Sequence, residues 1–325
     1  MTTLLTGSGL IGCQTAARLV ARGEPVVLAD LRPDPDRIAT VLPLAGAVLE
    51  TLDVCDREAV RALFERHRIT AVVHTAAALS TAIRQAPVLA ADVNLGGTVN
   101  LLEAARVAGV RRFVLASSTT VVYPIFHRPQ AGPVDEDFAF HAVSERPGSL
   151  YAASKLAAEF FVHQYADQFG LSVGILRYSA VLGLWAGPNH SVPGRLQAQL
   201  LGRGAIEGRV EITDPLLLWS GGDDFIDARD VADANVAALD APTLPSRVYT
   251  IASGRLDTFA DFVAAAQAVR ADLRQMPVKL PATGFAGFPH VRDQAFDVSR
   301  ARDELGFEAR YGLVDSMRAA LSFAG

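Results

Sequence analysis

Cysteines, histidine clusters and basic tracts are all scarce in this chain. Only two cysteines occur among 325 residues, Cys13 and Cys55, at a separation that no metal motif uses. They read as reduced, buried thiols of a cytoplasmic protein. The seven histidines are scattered, so no metal site is expected. Thirty Lys and Arg against 35 Asp and Glu give a net charge of -5 and a pI near 5.8. With neither a basic stripe nor an RNA-binding aromatic signature, nucleic acid is not expected as a partner. No apolar run reaches the length of a membrane span, so no membrane partner is expected. The opening MTTLLTGSGLIG lacks the basic segment of a signal peptide.

What is abundant is apolar. The chain is 50% hydrophobic and 20% charged, with a mean hydropathy of +0.24, ample for one large domain or two unequal ones. Its first half alternates short apolar runs (residues 3–5, 26–29, 47–52, 71–74, 112–116 and 172–176) with helical stretches (11–22, 57–66, 93–108 and 150–168). Strands this short and this apolar, alternating with helices, predict a parallel sheet covered on both faces. The rhythm breaks after Arg177. Residues 183–222, rich in Gly, Pro and Trp, read as an insertion, and 224–239 as a return to the sheet. Val248–Ile251 is a further short strand, 258–270 a helix, and 297–324 loop and helix. The expected architecture is α/β: a Rossmann-type doubly wound parallel sheet in 1–178, rejoined by 224–252, with a smaller C-terminal substrate-binding lobe from 179–223 and 253–325.

Gly7-Ser8-Gly9-Leu10-Ile11-Gly12 lies between the first strand and the first helix, the context a dinucleotide fingerprint requires. Its glycines permit a tight turn, approach of the backbone to a pyrophosphate and close packing of helix on strand. The helix start offers free N–H groups and a partial positive charge to the anion. Asp30, ending the second strand, suits the adenosine ribose hydroxyls and repels a 2′-phosphate. NAD is therefore expected over NADP, with Arg32 and Arg37 close by as the opposing signal.

Tyr151-Ala152-Ala153-Ser154-Lys155 sets a phenol and an ammonium one helical turn apart on one face. A neighbouring cation favours the phenolate and lowers a Tyr pKa from about 10. Such a Tyr can exchange a proton with a substrate hydroxyl near neutral pH.

With the glycine loop and Tyr151/Lys155 in view, the chain resembles an extended short-chain dehydrogenase/reductase of the NAD-dependent epimerase/dehydratase family. Further motifs carry the likeness along almost the whole chain. Asp53-Val54 resembles the family's adenine-contacting acidic position, and His74-Thr75-Ala76-Ala77 its H-x-A-A segment beside the cofactor. Asn94, Gly97, Thr98 and Asn100-Leu101-Leu102-Glu103-Ala104 match the next helix. Ser117-Ser118-Thr119, followed by Val122-Tyr123, matches the S-S-[ST]-x-x-V-Y strand end. Phe225-Ile226-Asp227, Asp230-Val231-Ala232 and Asp297 to Phe307 match the later signatures.

The resemblance implies roles. Thr119 would hold the substrate oxygen, with Ser118 the alternative; Tyr151 would be the general acid/base, and Lys155 would bind the nicotinamide ribose and depress the Tyr pKa. Cofactor contacts would come from residues 7–12 (Gly7, Ser8, Gly9, Leu10, Ile11, Gly12), Asp30, Leu31, Arg32, Asp53, Val54, Thr75, Ala76, Ala77, Asn94, Ser117, Tyr151, Lys155 and Tyr178. His74 reads as a packed residue beside the cofactor. Asn94 would bridge cofactor and backbone or simply cap its helix. The family also implies a homodimer paired through helices 93–108 and 150–168.

Three departures bear on loop and substrate. The glycine loop is one residue shorter than T-G-x-x-G-x-x-G. Ala180 stands where nucleotide-sugar members often carry Asn. Asp223 stands where they often carry the Arg that holds a diphosphate, and a carboxylate there would repel one. The expectation is thus hydride transfer at a secondary alcohol or carbonyl of a small, non-nucleotide molecule, with a (nucleotide-)sugar epimerase that returns its hydride to the same substrate as the alternative. Dehydration is disfavoured, because Thr119-Thr120-Val121 lacks the Asp-Glu pair. A non-catalytic NAD sensor is disfavoured by the complete catalytic set. The substrate pocket would draw on Thr119, Tyr123, Ser179, Ala180, Trp185, Asn189 and Ser191, with His127 and Arg128 facing an anionic end.

Overall fold

Leu4 and Leu5 point to opposite faces of one strand, and both are fully buried. Only a sheet covered on both faces allows this. The computed structural model, which describes residues 2–127, 132–137, 148–188, 190–202, 208–285 and 292–321, contains that sheet. In chain order the elements are β1 (Thr2–Thr6), α1 (Leu10–Ala21), β2 (Val26–Asp30), α2 (Pro35–Ile38), β3 (Ala47–Thr51), α3 (Arg57–His67), β4 (Ile69–His74), α4 (Ser80–Gln85), a π-helix (Ala90–Gly97), α5 (Thr98–Ala108), β5 (Arg112–Ser118), a 3-10 stretch (Thr119–His127), α6 (Leu150–Phe169) and β6 (Val173–Tyr178). They continue with β7 (Ala180–Leu182), α7 (Val192–Leu201), β8 (Arg209–Val210), β9 (Gly222–Asp223), β10 (Phe225–Asp227), α8 (Ala228–Asp240), β11 (Val248–Ile251), β12 (Asp257–Thr258), α9 (Phe259–Val269), β13 (Arg274–Gln275), α10 (Ser299–Leu305) and α11 (Leu313–Leu321).

The sheet has seven parallel strands in the order β3-β2-β1-β4-β5-β6-β11. Strand order reverses between β1 and β4, which opens a crevice at the carboxyl ends of the strands. This is the doubly wound sheet expected. One face is covered by α3, α5 and α6, whose Leu63, Phe64, Leu101 and Val162 pack with Leu4, Val72 and Phe113. The other is covered by α1 and α8, whose Ala16, Leu19, Val231 and Ala234 pack with Leu5, Val73 and Val114. Each fully buried Leu or Val side chain stabilises by about 1.5–3 kcal/mol. A third cluster gathers Leu182, Leu196, Leu200, Trp219, Phe225, Phe259, Phe262 and Met317. Trp219 is its centre, with Phe259 and Phe262 edge-on and Phe285 stacked at 5.2 Å.

Some local structure differs from the sequence reading. The helix expected over 93–108 begins as a π-helix at Ala90 and turns regular at Thr98. Residues 183–222, read as an insertion, contain the ten-residue helix α7, started by a Ser191 cap and Pro193. At the start of α6, Ser149 accepts a hydrogen bond from the Ala152 amide at 3.1 Å. That cap fixes the first turn of the helix that carries Tyr151.

Candidate active site

The glycine loop occupies only residues 7–9 between β1 and α1. Gly7 adopts φ +92, and a Cβ on it would lie 2.8 Å from the Ala76 amide nitrogen. A Cβ on Gly12 would overlap the Gly7 carbonyl oxygen. Gly9 caps α1 without a capping side chain, so the first-turn amides remain available to an anion. Asp30 closes the loop from β2: its carboxylate accepts the Ser8 amide at 2.7 Å and the Arg32 amide at 3.0 Å. Leu31 and Arg32 are exposed beside it. Thr75 ties β4 to this turn by donating to the Thr6 carbonyl at 2.7 Å, which brings Ala76 against Gly7. A bare helix start, a glycine cradle and a carboxylate at its edge fit a dinucleotide. The shortened loop keeps this geometry.

Tyr151 and Lys155 meet the end of β5. Lys155 Nζ donates to the Ala116 carbonyl at 2.8 Å and lies 5.9 Å from the centre of the Tyr151 ring. The Ser118 hydroxyl lies close enough to the Tyr151 phenol to lower its pKa, while its oxygen accepts from the Thr120 amide and hydroxyl. Thr119 Oγ1 is buried and has no hydrogen-bond partner among the described residues. The lowering of the Tyr pKa expected from the spacing is not what the structure shows. Burial pushes Tyr151 up to about 12, with Ser118 opposing. Burial also pulls Lys155 down to about 8, with Glu159 opposing. Desolvation is the largest cause of both shifts.

Two polar networks hold these groups. Asn94, in the π-helix, exchanges bonds with the Ala78 backbone (2.8 and 3.1 Å) and donates to Ser154 Oγ at 3.0 Å. It therefore clamps the segment after β4 to the helix carrying Lys155. His74 is fully buried between Thr6 (2.7 Å) and Thr98 (3.1 Å). Thr98 donates onward to the Asn94 carbonyl, so His74 Nε2 donates to Thr98 and Nδ1 accepts from Thr6. Burial drives its pKa down to about 3, and it is a packed neutral imidazole.

The remaining expected residues scatter by role. Val54 packs against Gly97, and Asp53 turns its carboxylate to the Cys55 amide at 2.9 Å. The Tyr178 phenol is bonded to Asn235 at 2.7 Å on the α1/α8 face, away from Tyr151. Ser117 donates to Glu159. Ser191 caps α7, and Trp185 packs with the cluster behind α1. Ser179 donates to Asp224 at 3.0 Å, and Ala180 pairs with Phe225. Asn189 and Arg128 lie outside the described residues, as does the side chain of His127.

One residue of the neighbourhood was not legible in the sequence. Arg292 is buried, its guanidinium 3.8 Å over the Tyr123 ring and paired with Asp223. Tyr123 in turn faces Tyr151 closely enough to affect its ionisation. The Asp223 carboxylate therefore does not stand free, and the repulsion expected of it is offset by a cation. No local motif marks Arg292; its position follows from packing of the C-terminal segment over the 3-10 stretch.

A family model described as the NAD dependent epimerase/dehydratase family matches residues 3–252. The chain is similar to the UDP-glucose 4-epimerase of Rhizobium meliloti (strain 1021), 32% identical over 72% of this chain and 70% of that relative. It is 30% identical to the UDP-glucuronate 4-epimerase of Thermodesulfobacterium geofontis (strain OPF15), a match spanning 58% of this chain and 58% of the relative. Among solved structures, the UDP-glucose 4-epimerase of Thermus thermophilus in complex with NAD superposes with a TM-score of 0.81 at 26% identity, covering 100% of this chain and 99% of that one.

Proposed function

The chain belongs to the NAD dependent epimerase/dehydratase family, and on that premise we propose that it is a nucleotide-sugar epimerase in which Tyr151 moves the proton of a sugar hydroxyl. The observation that carries this reading is the Tyr151–Ser118 and Lys155–Ala116 arrangement at the end of β5. NAD, when bound, would supply the hydride acceptor; epimerisation requires the ketone to turn so that the hydride comes back to the opposite face of the same sugar carbon. Asp30 would hold the adenosine ribose, and the bare start of α1 would hold the pyrophosphate. Tyr151 removes the proton from the hydroxyl and gives it back to the ketone oxygen. Thr119, whose hydroxyl has no partner among the described residues, donates to that same oxygen. Ser118 fixes the phenol, and the Lys155 ammonium favours its ionised form. Residues 1–178 with 224–252 carry the cofactor, and 179–223 with 253–325 form the substrate lobe.

The substrate is taken to be a UDP-sugar because its strongest counter-argument, a free Asp223 carboxylate, has gone: that group is paired with Arg292. The similar UDP-glucose and UDP-glucuronate 4-epimerases support the same class. Ala180, in place of an amide, favours a second reading: net oxidation of a non-nucleotide alcohol. We also propose a homodimer through α5 and α6. Among the described residues no helix is long and apolar enough to cross a membrane. The two unpaired thiols, Cys13 buried and Cys55 exposed where the sequence reading expects burial, support a cytoplasmic setting.

The test is incubation with UDP-glucose, UDP-galactose, UDP-glucuronate and the free sugars, reading NADH absorbance and product NMR together. Epimer formation on a UDP-sugar without NADH accumulation is expected. NADH accumulating with substrate consumption would overturn it in favour of the dehydrogenase. Tyr151→Phe should lower turnover by roughly 10²–10⁴-fold while NAD affinity holds.

A further inference from the structure

Glu159 follows Lys155 by four residues on α6, so the two side chains stack one turn apart on one face. Consecutive residues of β5 meet them: the Ala116 carbonyl accepts from Lys155 at 2.8 Å, and the Ser117 hydroxyl donates to Glu159 Oε1. From β6, Arg177 forks onto the same carboxylate, Nε to Oε1 at 3.0 Å and Nη2 to Oε2 at 2.6 Å. Its third nitrogen, Nη1, donates to the Glu136 carbonyl at 2.7 Å. Lys155, Glu159, Ser117, Arg177 and Glu136 are all buried. The Glu136 carboxylate is turned away, accepting the Thr250 amide at 2.8 Å and lying 3.4 Å from Arg300.

A buried Arg–Glu pair adds little net stability over an apolar pair of equal volume, so hydrophobic packing would join α6 to β6 as well. What an apolar pair could not supply is a fixed negative charge one turn from a buried ammonium. The other ionisable groups near Lys155 do not supply it. His74 on β4 is neutral, Tyr151 is a neutral phenol, and His163, further along α6, is pulled down by burial.

We propose that Glu159, locked by Arg177 and Ser117, is a positioning residue that keeps Lys155 charged and held at the Ala116 carbonyl, and so sets the upper pH limit of NAD binding. The purpose rests on the reading that Lys155 serves NAD and Tyr151; the electrostatic coupling does not. Burial and Glu159 pull the lysine in opposite directions, which is the balance this role requires.

The chain has only two lysines, Lys155 and Lys279, so ε-13C-lysine NMR gives two side-chain signals, and Lys279→Arg assigns them. The Lys155 signal should titrate near pH 8 in the native protein. In Glu159→Gln its midpoint should fall by at least about half a pH unit, and the pH above which NAD affinity drops, read by calorimetry, should fall with it. Glu159→Asp, which keeps the charge, should restore the native midpoint. Because Glu159→Gln leaves a buried guanidinium unpaired, Glu159→Gln/Arg177→Met removes both charges and serves if the single variant does not fold; the midpoint should still lie below native. An unmoved midpoint in the folded variant, with only a lowered Tm, overturns the proposal and leaves a structural ion pair. If the midpoint moves but Lys155→Met binds NAD and turns over normally, the coupling stands and the reading of Lys155 fails.

Discussion

In the proposed role, Lys155 holds a positive charge where water does not reach it. Its ammonium has one carbonyl partner and a carboxylate a turn away, and burial brings its pKa down to about 8 from an ordinary 10.5. The sign follows directly: the charged form persists below pH 8 and is lost above it. NAD affinity and turnover should therefore decline as pH rises through about 8, with a slope of about one proton in the pH–rate profile. A flat profile to pH 10 would show that the ammonium is not required. Asp223 makes a second residue-level test. Asp223→Asn removes the carboxylate that offsets the buried Arg292; it should lower Tm by leaving that guanidinium unpaired, and in the folded variant tighten UDP binding by roughly tenfold, about 1.4 kcal/mol. Unchanged or weaker binding by calorimetry would place the diphosphate elsewhere. These two cases also divide what the sequence discloses. Tyr151 and Lys155 are four residues apart on a helix, a local relation that spacing reveals. Arg292 and Asp223 are joined across 69 positions by the packing of separate segments, and no periodicity records that.

The proposed cofactor site is closed by approach of backbones more than by side chains. Gly7 presses on Ala76 after β4, and Gly12 of α1 presses on the Gly7 carbonyl. Three elements thus close to distances that no Cβ tolerates. Gly12→Ala should push α1 off β1, lower Tm, and reduce NAD affinity well beyond the loss in stability. Retained NAD affinity by calorimetry in the folded variant would mean the cradle is not the pyrophosphate site. This arrangement is legible, because glycine spacing between a strand and a helix start reports backbone geometry. The π-helix is not. Its extra residue turns Asn94 to Ala78 and Ser154, and a polar side chain inside an apolar helical stretch gives only a weak hint of a wider turn. Ser191, which the sequence offers as a substrate contact, caps α7, a role its sequence neighbourhood does not single out.

At the scale of the whole molecule, α5 and α6 pack on the sheet with one face and leave an aromatic stripe on the other. Phe161, Tyr165 and Phe169 follow at four-residue steps on α6, and Val107 of α5 lies at 68% exposure. Tyr165 and Phe169 meet edge-on at 5.2 Å, with Arg106 over Phe169 and the Tyr165 phenol bonded to Glu103. The two helices therefore present one preorganised surface. Phe161 and Phe169 are 43% and 53% exposed, which is costly to leave in water at about 25 cal/mol per Å². Isolated exposed apolar residues need no explanation, but an aromatic row on α6 flanked by the exposed Val107 of α5 is the kind of surface that a partner covers. A second copy is the occupant that the dimer reading names: two such faces, related by a two-fold axis, would bury the stripe against itself. Phe161→Asp sets like charges together at the centre of that contact. Size-exclusion chromatography with light scattering should show a dimer for the native chain at micromolar concentration and a monomer for the variant. Tyr151 and the glycine loop lie at the carboxyl ends of the strands, whereas the stripe runs along the outer side of α6, so the monomer should still bind NAD. A native chain that runs as a monomer under those conditions would defeat the dimer, and the exposed aromatics would then need a different partner.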